Sequence, residues 1–186
     1  MLGGMTEPTV PSGFSARWQG GQRADPPMIA DEATMLTSYL EYYRSTFELK
    51  CAGVAGERLS EATVPPSTIS LHGLIRHLAG VERWWMRQQF AGEDVPMLYY
   101  SDEDPDQDFE SLGGDVGEAL ATWRAECERS REIVAAADSL EATGVRRGTG
   151  EAFSLRWVLL RMITEYARHC GHADLLRERI DGAVGE

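Results

Sequence analysis

Apolar residues recur at three- and four-residue steps in four separate stretches of the chain, the spacing that gathers them on one face of an α-helix. The first stretch runs from Asp31 to about Val54 and carries Met35, Leu36, Tyr39, Leu40, Tyr43, Phe47 and Leu49. Pro65-Pro66 bars its continuation. Ser70 then stands where an N-cap belongs, ahead of the stripe Leu71, Leu74, Ile75, Leu78, Val81, Trp84 and Trp85. Asp115 with Glu118 makes a capping-box-like start to a third helix through Leu120, Trp123, Cys127, Ile133 and Val134. The fourth is expected from about Ser154 to Ile180, stopping before Gly182.

The connections differ in kind. Residues 92–114 form a long acidic link with Pro96 and Pro105 inside it, whereas a Gly-rich turn (Gly144, Gly148, Gly150) joins the third helix to the fourth. Only Met97 to Tyr100 shows an alternation that a strand could use. Helices of about 20 to 28 residues are about 30 to 40 Å long, the dimensions of a bundle. The expected fold is therefore all-α: a four-helix bundle with a long crossover between helices 2 and 3. Residues 1–28, rich in Gly, Pro and small polar residues, read as a flexible arm with Phe14 and Trp18 as its large anchors. Residues 29–182 form the bundle and 183–186 a tail.

Composition narrows the classes of partner. The chain has 186 residues, a net charge of −12 and a 42% hydrophobic fraction, values of a soluble globular domain. So acidic a balance argues against a nucleic-acid surface, which needs clustered positive charge. No window reaches the roughly 20 apolar residues that cross a bilayer. Cys51, Cys127 and Cys170 are odd in number and widely spaced, and the N-terminus lacks the layout of a secretory signal. A reduced, cytoplasmic setting is expected.

The chemistry concentrates in Glu165-Tyr166-Ala167-Arg168-His169-Cys170-Gly171-His172. Residues four apart on a helix sit about 6 Å apart, so Glu165 and His169 can converge on one ion, and His172 lies near the same side. A further ligand has to come from another element, and only His72 and His77 remain. Leu74, Ile75, Leu78 and Val81 surround His77 on the helical wheel, so it projects toward the core. His72 lies about 140° away from it. Each piece also has a plain reading: a hydrogen-bonded core histidine for His77, an exposed charged face for the last helix. Two imidazoles and a carboxylate suit zinc, nickel or iron better than calcium or magnesium. Cys170 points about 100° away from His169 and reads as packing. The run from Asp102 to Asp108 lacks the Gly and closing Glu of a calcium loop and reads as solvated. Trp84, Trp85, Trp123 and Trp157 read as core.

Two segments carry a family resemblance. Residues 70–85 (SLHGLIRHLAGVERWW) resemble the second helix of the DinB-like superfamily, and residues 156–178, with EYARHCGH inside them, resemble its fourth. Both look most like the actinobacterial branch that includes the mini-circle proteins, and the resemblance covers about Ile29 to Gly182. It implies a four-helix bundle, often a homodimer, with a divalent metal on His77, Glu165 and His169. Glu165 stands where the commonest pattern has His, and so resembles the His/Glu/His set of the mycothiol-dependent maleylpyruvate isomerases. His172 falls where many relatives carry Gln, which implies a supporting role, with His172 the candidate catalytic group. Arg161, one turn before Glu165, is often His in this branch.

The expected function is a metal-dependent enzyme, zinc or nickel bound, that activates a low-molecular-weight thiol, mycothiol, for transfer or isomerisation. The alternatives are a hydrolase using bound water, or a non-catalytic metal-binding or dimerisation module. Expected partners are a small-molecule substrate and a second copy of the chain, with neither nucleic acid nor membrane.

Overall fold

The computed structural model of the protein describes residues 23–110 and 112–185. It is mostly helical, with a single two-stranded sheet among the described residues. Helix α1 spans Glu32–Cys51, capped by Asp31, whose side chain accepts from the Thr34 N–H. A short turn of helix, α2, follows at Gly56–Leu59. Helix α3 spans Leu71–Glu82 from the Ser70 cap, which accepts from the Gly73 N–H. It runs on as a π-helical segment over Arg83–Phe90. After α4 (Gln107–Glu110), Asp115 caps α5 (Val116–Ala136) by accepting from Gly117 and Glu118. Helix α6 spans Leu155–Asp181 and ends at Gly182, whose φ of 76° is the left-handed C-cap that glycine adopts without strain. The caps expected from the sequence are therefore the caps that form.

Three features depart from expectation. The Gly-rich turn is a hairpin: β1 (Thr143–Val145) pairs antiparallel with β2 (Ala152–Ser154), Gly144 opposite Phe153. A Cβ on Gly144 would stand 2.6 Å from the Phe90 Cα, so only glycine lets the hairpin lie against the end of the π-helical segment. Met97 to Tyr100 is not a strand; it runs irregularly beside α3, with the Tyr100 ring against Gly80. The acidic connection, finally, is not simply solvated. It folds back onto α3 through α4, with Asp108 2% exposed. The arm expected over residues 1–28, with Phe14 and Trp18, lies outside the described residues up to residue 22. Arg23 donates to Thr46 Oγ1 at 2.7 Å and lies over the Tyr42 ring.

Helix α1 packs along α6, and α3 packs against α5 and α6. Phe47, Leu74, Leu78, Met162 and Tyr166 are among the fully enclosed side chains between them. This core is not wholly apolar. Glu82, with no exposed surface, accepts from Arg44 Nε at 2.8 Å, from an Arg44 terminal nitrogen at 2.6 Å, from Ser130 Oγ at 2.6 Å and from Tyr166 Oη at 2.7 Å. The Trp123 indole donates to the same Tyr166 oxygen at 2.8 Å. Arg44 is on α1, Glu82 on α3, Trp123 and Ser130 on α5, and Tyr166 on α6, so one buried network ties the four long helices together. A buried polar network is satisfied in only one register, and this one fixes α6 against α3 one residue away from Glu165.

Candidate metal centre

Tyr166 faces the core; Glu165, one residue back and about 100° around the helix, faces the upper part of α3. There it meets His77. One ligand atom each from His77, Glu165 and His169 lies within 4.8 Å of the others. The His77 Nε2 stands 3.4 Å from Glu165 Oε1, and the His169 Nε2 stands 3.2 Å from the same oxygen. Glu165 and His169 are buried and His77 nearly so. Arg161, one turn back on α6, brings a guanidinium nitrogen to 3.5 Å from Glu165 Oε2.

Both imidazoles are held from behind. Asp108 Oδ2 lies 2.8 Å from His77 Nδ1, and Phe109 stacks on the same ring at 4.9 Å between centroids. His172 Nδ1 lies 3.2 Å from His169 Nδ1. Where either imidazole is neutral and its Nδ1–H donates backwards, a bare Nε2 points inward. With both rings in that state, two imidazole lone pairs and a carboxylate face one another, an arrangement that favours a proton or a metal ion between them. The titration of His77 reflects the proton case: burial opposes its cation, but hydrogen bonds to Asp108 and Glu165 prevail and raise its pKa to about 9. Hydrogen bonds from His169 and His77 hold the Glu165 carboxyl far below the usual range. His172 moves the other way, lowered by burial and by its neighbours His169 and Arg168.

The structure thus brings together the three residues singled out from the sequence and sets His172 beside them. His72 takes no part; it is buried and bonded to Ser60 Oγ at 2.9 Å. Cys170 is buried, its thiol pushed up to about 12 by burial, which fits packing. Asp108 is the residue that sequence reasoning missed, because it was counted with the solvated acidic run. The signal that marks it is Phe109, the one aromatic residue next to that run, where the loop must return to the core. The tryptophans also divide: Trp123 is core at 2% exposure, whereas Trp157 is 47% exposed, contrary to the expectation of all four as core.

The mycothiol-S-transferase family model matches residues 35–182. The chain belongs to that family, within the DinB-like and mycothiol-dependent enzymes. A search of curated proteins returns no match. No helix among the described residues is long and apolar enough to cross a membrane.

Proposed function

We propose that the protein is a metal-dependent mycothiol S-transferase, built as a four-helix bundle over residues 29–182 with the long crossover passing over α3. His77, Glu165 and His169 hold a divalent ion, zinc or nickel. The observation that carries this reading is the pair of Nε2 atoms 3.4 and 3.2 Å from one carboxylate oxygen, each imidazole held through Nδ1 by a partner behind it. The donor set fits: two nitrogens and a carboxylate are the ligands of catalytic zinc sites that keep a position open.

An ion so held makes a thiol placed beside it more acidic and hence nucleophilic near neutral pH. The chain's own residues do the rest. Asp108 holds His77 in the tautomer that presents Nε2, and His172 does the same for His169. Arg161 keeps Glu165 ionised and oriented. His172, partly exposed, is also placed to pass a proton between the site and solvent.

Metal analysis by mass spectrometry tests this directly. Wild type is expected to carry about one divalent ion per chain, lost in His77→Ala, Glu165→Ala and His169→Ala. The cobalt-substituted protein is expected to change its visible spectrum when mycothiol is added. Wild type that takes up no metal on reconstitution while folding normally refutes the proposal.

A further inference from the structure

Two turns along α6 from Glu165 lies a second feature that the metal chemistry leaves unused. Trp157, Arg161, Glu165 and His169 are spaced four apart on α6, so each lies one turn on and about 40° around from the last, in a shallow spiral. Across from them, Trp85 lies eight residues beyond His77 on the π-helical continuation of α3. Arg161 links the two ends: its guanidinium lies 5.8 Å from the centre of the Trp85 ring and 3.5 Å from Glu165 Oε2. Trp85 and Trp157 in turn line a cleft of about 590 Å³, inside the range of small-molecule sites.

Three aromatic side chains wall this cleft. The Trp85 and Trp157 rings are 5.3 Å apart, and Phe153 on β2 stands 5.6 Å from Trp157 and 6.1 Å from Trp85. Trp157 leaves nearly half its surface exposed beside them. Arg146 and Glu151 of the hairpin complete the wall with opposite charges. A balanced pair beside exposed aromatic faces suits a neutral ligand with many hydroxyls better than an anion. The C–H faces of its rings stack on indole, and its hydroxyls donate to a carboxylate and accept from a guanidinium.

We propose that this cleft is the subsite for the sugar end of the thiol, the amino sugar joined to inositol that carries mycothiol's cysteine. The inference rests on the proposed function for the thiol's place at the triad. The spacing agrees. Trp157 lies eight residues, about 12 Å, along α6 from Glu165. A cysteinyl arm and one hexose ring span on the order of 10 Å at ordinary bond lengths. With the sulfur at the triad, the second ring reaches the two tryptophans. The hairpin, whose place depends on Gly144, then serves to complete a binding wall.

The test compares two thiols that share the acetylated cysteine, one with the sugars attached and one without them. The cobalt-substituted full-length protein is titrated with mycothiol and with N-acetylcysteine, which lacks the sugars, while the visible spectrum is recorded. Wild type is expected to half-saturate with mycothiol at about a tenfold lower concentration than with N-acetylcysteine. Trp157→Ala is expected to erase that advantage and leave the N-acetylcysteine titration unchanged, with Arg146→Ala giving a smaller loss of the same kind. Both variants titrating mycothiol as wild type does overturns the subsite, as does an equal weakening of both thiols.

If neither thiol changes the cobalt spectrum, the proposed function fails, and the cleft is judged separately. Saturation-transfer NMR with the thiol-free N-acetylglucosaminyl-inositol, whose acylated nitrogen is uncharged as in mycothiol, then decides it. Contact with wild type that is lost in Trp157→Ala supports the subsite; no contact with wild type overturns it.

Discussion

Two carboxylates occupy the interior between α3 and α6, and their surroundings differ in kind. Around Glu82 every neighbour brings a hydrogen. Arg44, Ser130 and Tyr166 donate at 2.6 to 2.8 Å, and the Cys127 thiol adds a long contact at 3.5 Å. Burial works against the Arg44 cation, but Glu82 holds its pKa well above the ordinary value. Around Glu165 the neighbours stand at 3.2 to 3.5 Å, and two of the three are imidazoles already committed to acceptors on their far side. The first carboxylate is complete as it stands. The second is complete only when something positive enters. A carboxylate surrounded by its donors ties helices together, whereas one faced by imidazole nitrogens offers the place where the proposed ion would sit.

The contrast can be broken from either side. The largest effect is expected at the closed cluster: Glu82→Ala strands the buried Arg44 charge and should cost about 3–5 kcal/mol in urea unfolding. Replacing Arg44 by Met together with Glu82→Leu should recover much of that loss, because two well-packed apolar side chains need no compensation. At the open cluster, adding zinc to about a hundredfold above its dissociation constant should stabilise the chelated wild type by about 2.7 kcal/mol. The same addition should leave Glu165→Gln unmoved in thermal melting.

A smaller effect is expected behind the site. Asp108→Asn should weaken metal binding by about 10- to 100-fold in a chelator competition, with the fold retained in the far-ultraviolet circular dichroism spectrum. The smallest is a trend with pH in the metal-free protein. The folded-state pKa of His77, raised from 6.5 to about 9, adds stability that is fully present below about 6.5 and is lost as pH rises through 9. Glu165, depressed from 4.5, adds stability that is present above 4.5 and lost only in stronger acid. Melting of the chelated protein should therefore favour pH 6 over pH 9 by this cluster's contribution. Metal binding should strengthen over the same interval, because the ion displaces the His77 proton. If His77→Ala lowers the metal-free melting temperature equally at both pH values, the shared-proton picture is contradicted.

Much of the architecture was legible because its signals are local. Ser70, Asp115 and Gly182 mark helix ends through contacts within three or four residues, and each forms as read. The i,i+4 pair Glu165 and His169 is local in the same sense, since one helical turn brings the two together wherever the helix packs. The hairpin escaped notice because its strands are three residues each and its need for Gly144 arises from the distant Phe90 backbone. Asp108 escaped because an acidic loop looks solvated until one knows which aspartate is folded under it.

What the sequence by itself determined was the four long helical stretches, most of their caps, and two candidate ligands one turn apart, because hydrophobic period and capping act over a few residues. The tertiary structure decided which histidine completes the triad, which aspartate orients it, and which tryptophan stays open to solvent. Those outcomes depend on the register of α3 against α6, and that register is fixed by a buried network whose members come from four helices. No local stretch of sequence contains it.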